Sequence, residues 1–222
     1  MVSLLHPLRS LFTDLLFSST AIENLQQRTK GQPGCAVVYW YFTFTNTEKQ
    51  NLSNCILSLL GDACSNLRKT PQGLQEAYDQ ANFGRQQPGT KQTLELLKET
   101  VASLDDVYIC LDALDECPKS SSERKRLLDA IHEICSWGVE SVHILVTSRR
   151  EVDIEGSFGI LSKDLATQDP GKFLAVAVQG PQVKRDIKKF IQHRVQDRVF
   201  NSWTIKLRNE VEAMLASQAE GM

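Results

Sequence analysis

The sequence predicts an α/β fold: a parallel sheet with helices on both faces. Two observations carry this. Short β-branched and aromatic runs alternate with longer segments whose apolar residues recur every three or four positions, and parallel strands need such crossover helices between them. Polar clusters follow two of the strand-like runs, at Asp112–Glu116 and Thr147–Arg150, and the carboxyl ends of parallel strands are where these sheets gather ligands.

Leu8, Leu11, Leu15, Ile22 and Leu25 are spaced by three, four and seven, which predicts a mostly amphipathic helix over residues 1–27, irregular near Pro7. Gly31, Pro33 and Gly34 end it. Cys35–Phe44 (CAVVYWYFTF) reads as a strand covered on both faces. Asn46 and Thr47 offer an N-cap to a helix carrying Leu52, Cys55, Ile56, Leu59, Leu60 and Ala63 on one stripe. A short helix is expected around Leu74–Asn82, then a loop at Gly84–Gly89, then a helix bearing Leu94, Leu97, Val101 and Leu104.

Val107–Leu111 is a continuous apolar run that ends abruptly in Asp112, Asp115 and Glu116, as a buried strand with an acidic end would. Ser120 with Glu123 fits a capping box for the helix carrying Leu127, Leu128, Ile131, Ile134 and Cys135. Val142–Val146 (VHILV) is a second buried-type strand and Phe173–Val178 a further one. Two helices follow. Val183, Ile187, Phe190, Ile191 and Val195 share one face, and Leu207, Val211, Met214 and Leu215 share another.

The composition excludes several classes. With 41% hydrophobic and 23% charged residues among 222, the chain can bury an ordinary core, and a net charge of −2 speaks against a basic nucleic-acid arm. Six cysteines without a C-x-x-C or a zinc spacing predict a reducing, cytoplasmic setting. Met1–Phe17 is too interrupted by His6, Pro7, Arg9 and Asp14 for a signal peptide, and no run approaches the roughly 18 apolar residues of a membrane span.

A strand that ends in one carboxylate and is followed by two more is suited to holding Mg²⁺ and polarising a water against a γ-phosphate. Asp112 is then the metal residue and Glu116 the water-orienting base, with Asp115 supporting the loop or the metal's waters. Arg149, at the neighbouring strand's tip, could read the γ-phosphate with its planar guanidinium. Either cluster alone is as readily a solvated loop; their joint appearance at equivalent strand ends, with a helix between, favours a site. Tyr39, Trp40, Tyr41, Phe42 and Phe44 fit a core strand better than a base-stacking platform, because no basic surround accompanies them. His143 is expected to be a hydrogen-bonded core histidine, Cys110 and Cys117 structural thiols, and Lys184, Arg185, Lys188 and Lys189 a solvated helix face.

YICLDALDECP, then HILVTSRR, then DIKKFIQHRV resemble the Walker B strand, sensor strand and following helix of NACHT-type signal-transduction NTPases. The nearest likeness is to the nephrocystin-3-like N-terminal domain of fungal receptor-like and ankyrin-repeat proteins, over roughly Phe17–Met222. The resemblance implies a P-loop NTPase-like three-layer sheet that binds ATP or GTP with Mg²⁺. It also implies Asp112 as the Walker B aspartate, Ala113 in place of a frequent glycine, Asp115 and Glu116 as the second acidic pair, and Arg149 as the sensor arginine. Arg150 stands where the family often has proline. The tail QAEGM resembles a stretch that the family continues into an apolar segment, so the helices of 183–222 are expected to lead into a missing continuation.

One departure matters. The family places a strand and a G-x-x-x-x-G-K-S/T loop before a helix that begins much like FSSTAIENL. Here residues 1–16 form a divergent helix, and Thr13, Asp14 and Leu15 fall where glycine, lysine and serine or threonine belong. A phosphate nest needs glycine's backbone freedom, a cation and a hydroxyl, and none of these is supplied. Gly84–Lys91 (GRQQPGTK) has Thr90 inserted before the lysine and no strand ahead of it; Gly171 and Lys172 lack the first glycine and the hydroxyl. The fold is therefore expected to be incomplete, without its first strand and phosphate loop. That leaves neighbouring strands unpaired or in a new order, and open to self-association.

Three functions follow as expectations. The first is a fragment of a nucleotide-dependent signalling switch that binds no nucleotide by itself. The second is a degenerate protein-interaction module working with flanking repeat or effector domains. The third, a Mg²⁺-dependent phosphodiesterase or nuclease using Asp112, Asp115 and Glu116, lacks the basic surface a nucleic-acid substrate calls for.

Overall fold

The computed structural model describes residues 8–81, 84–119, 122–168, 172–176, 181–197 and 200–219. Residues 14–168 form one compact unit, which holds the sheet, and the C-terminal helices belong to a second. The first helix, α1 (Leu8–Thr29), leads into strand β1 (Cys35–Tyr41), then α2 (Leu52–Cys64), α3 (Gln72–Gln80) and α4 (Thr90–Ala102). Strand β2 (Asp106–Asp112), α5 (Ser122–Ser136), β3 (Val142–Val146) and α6 (Val152–Gln168) complete the first unit. In the second unit α7 (Pro181–Arg194) and α8 (Ile205–Ala219) pack as a pair, with Gln192 Nε2 donating to Glu212 Oε1 at 2.7 Å.

The fold is α/β, with an open three-stranded parallel sheet of order β1-β2-β3 flanked by helices. The acidic strand and the VHILV strand are therefore direct neighbours, Val107 beside Val142 through Leu111 beside Val146. One sheet face is dry: Ala36, Val38 and Trp40 of β1 and Val107, Ile109 and Leu111 of β2 share a core with α2, α4 and α5. The opposite face is only partly covered, so Cys35, Val37, Tyr39 and Tyr41 alternate as half-buried residues with the buried ones. The expectation of a strand covered on both faces is corrected to this alternation. At the C-terminal end of that face α1 does lie close, with Ser18 and Ile22 buried.

Local chemistry moved several boundaries. Asn46 caps only a 3₁₀ turn at Thr47–Gln50, its Oδ1 accepting from Glu48 N at 3.0 Å; Asn51 caps α2 by accepting from Asn54 N at 3.2 Å. Ser120 lies outside the described residues; Glu123 pairs with Arg126 of its own helix through Oε1 and accepts the Leu52 N–H at 3.0 Å through Oε2. Pro7 and Asn82 also fall outside the described residues. Helix α6 was not expected: Gly156 and Gly159 weaken its propensity and its apolar residues form no clean stripe.

Two strand expectations change. β3 is half-buried along its length because it is a sheet edge, and His143 is exposed, stacked on Tyr108 and 3.3 Å from Asp106 Oδ1, rather than a core histidine. Phe173–Val176 carries no strand, with Leu174 84% and Val176 68% exposed; residues 177 and 178 lie outside the described set. Among the described residues no helix is long and apolar enough to cross a membrane.

Candidate functional site

The site forms where β2 and β3 end side by side. Thr147 N donates to Leu111 O at 3.0 Å and Leu114 N to Thr147 O at 3.1 Å, so Thr147 continues the ladder past the last paired residues. Its hydroxyl accepts from Ala113 N at 3.0 Å and donates to Asp112 Oδ1 at 2.5 Å. From the other side Ser18 of α1 also hydrogen-bonds the Asp112 side chain. Asp112 is 4% exposed, and burial raises its carboxyl above the ordinary range, against the lowering effect of these two hydroxyls, while Asp115 adds to the rise.

After Asp112 the chain turns sharply. Ala113 sits at φ 58° and ψ 53°, a left-handed conformation that a Cβ disfavours by about 1–2 kcal/mol. It is the position where the resemblance places glycine. The turn feeds a 3₁₀ segment, Leu114–Glu116, that separates the acids. Asp115 Oδ1 accepts from Arg149 N at 3.0 Å, Ser148 Oγ lies 3.4 Å from it, and Arg149 Nε is 3.4 Å from Oδ2. Glu116, 7% exposed, accepts the Phe44 N–H at 3.0 Å. Burial raises its carboxyl too, opposed by that hydrogen bond and by Arg149.

Beneath the loop lies a residue that no sequence pattern singled out. Arg124 of α5 is 6% exposed; its Nε donates to Cys117 O at 2.8 Å, one terminal nitrogen to Asp115 O at 2.5 Å, and the other lies 3.4 Å from Asp153 Oδ2 of α6. A forked, permanently charged donor is what two diverging carbonyls and a carboxylate require. Ser18 and Thr147, although they stand in the FSST and TSR runs, were likewise unassigned. Only spatial proximity shows that they converge on Asp112. The buried Cys117 thiol is pushed up to about 11 and Cys110 to about 11, chiefly by burial, which suits structural thiols rather than nucleophiles.

The structure thus brings Asp112, Asp115, Glu116 and Arg149 to one strand-end cluster, and satisfies each from within the chain. Among the described residues no group of three acidic, histidine or cysteine side chains is placed to hold a metal. The backbone is helical through Thr13–Leu15, so its N–H groups do not fan out into a phosphate nest. These residues, as arranged, do not fit Mg²⁺ with a nucleoside triphosphate: Asp112 is enclosed by hydroxyls and Arg149 lies against Asp115.

Comparison with known proteins gives one positive finding. The family model described as nephrocystin 3, N-terminal, matches residues 16–149, from the α1 residues before Ser18 to the arginine that follows β3. No curated protein and no solved structure matches significantly. Because the match takes in all three strands, the acidic turn and more than half of the chain, the protein belongs to the nephrocystin 3 N-terminal family.

Proposed function

We propose that this chain is a nucleotide-independent relative of NACHT-type switches, a cytoplasmic protein-interaction module in which the strand-end acids hold the sheet together instead of handling a triphosphate. The supporting observation is the enclosure of Asp112 by Thr147 and Ser18. In P-loop enzymes the corresponding aspartate and a loop hydroxyl share a Mg²⁺. Here the Thr147 and Ser18 hydroxyls hydrogen-bond the carboxylate directly. Flanking repeat or effector domains are the partners such a module would serve.

The ordered retention of Asp112, Asp115, Glu116 and Arg149 favours a second reading, a switch that still takes ATP or GTP. Titration of the purified chain with fluorescent ATP and GTP analogues in excess Mg²⁺ separates the two. No saturable signal up to about 1 mM is expected, which corresponds to less than about 4 kcal/mol of binding. Micromolar binding abolished by Asp112→Ala would overturn the proposal in favour of the switch.

A further inference from the structure

We draw no further inference here: the strongest candidate, the half-buried sheet face that Val37, Tyr39 and Tyr41 of β1 share with Tyr108 of β2, carries nothing because nothing in the structure shows what covers it.

Discussion

Replacing Thr147 by valine keeps the side chain's shape and removes only the hydroxyl that joins Ala113 N to Asp112 Oδ1. Two groups then lose a partner. The Ala113 N–H has no acceptor, a cost of about 1–2 kcal/mol, and the carboxylate of Asp112, 4% exposed, loses one of its two hydroxyl donors, a cost of about 1.5–3 kcal/mol. Because Thr147 is only half-buried, water recovers part of this, and the expected net loss is about 3 kcal/mol. In urea at pH 7 the unfolding midpoint should fall by about 1–2 M with little change in slope. Thr147→Ser keeps the hydroxyl and should stay within about 1 kcal/mol of wild type. If Thr147→Val unfolds within about 0.5 kcal/mol of wild type, the clasp is not what holds the strand end, and the reasoning is refuted.

The buried acids set a pH dependence. Asp112 and Glu116 are both raised, so protonation favours the folded chain: their contribution is fully present below the ordinary carboxylate range and is lost as pH rises through the raised values. Wild type should therefore gain stability as pH falls from 7 toward the raised values, whereas Asp112→Asn should be no less stable at pH 7 and show a shallower slope in urea midpoints. Asp62, also raised by burial, adds to both slopes equally. Ala113→Gly should raise stability by about 0.5 kcal/mol, because relief of the left-handed strain outweighs the added freedom of the unfolded chain; a lower urea midpoint would contradict this. Arg124→Lys should cost about 2 kcal/mol in the same assay, since one ammonium cannot serve both the Cys117 and Asp115 carbonyls while facing Asp153.

What the sequence revealed follows from which interactions are local. The apolar runs of β1 and β2 and the stripes of α2, α4 and α5 are short-range patterns, and they identified both the elements and the acidic strand end. Asp112 and Arg149 could be named from their positions at strand tips. The partners of Asp112 and Glu116 could not, because Ser18 and Phe44 are brought to these acids by tertiary packing rather than by sequence spacing. β3 misled for a similar reason: an apolar run looks the same whether the strand is central or at an edge, and His143 faces solvent because it sits on the edge strand and on the partly covered sheet face. Glu123 could be read from the sequence only as a partner within its own helix, and its hydrogen bond to the Leu52 N–H at the start of α2 is a tertiary contact that spacing does not show.

Thermal unfolding of the whole chain with and without 1 mM Mg·ATP or Mg·GTP tests the central claim most directly. A site with a dissociation constant of about 10 μM would add about 2.7 kcal/mol and raise Tm by about 5–10 °C. The enclosed strand end predicts no shift from either nucleotide, in wild type or in Asp112→Ala. A Mg²⁺-dependent rise of several degrees in wild type, absent in Asp112→Ala, would contradict it.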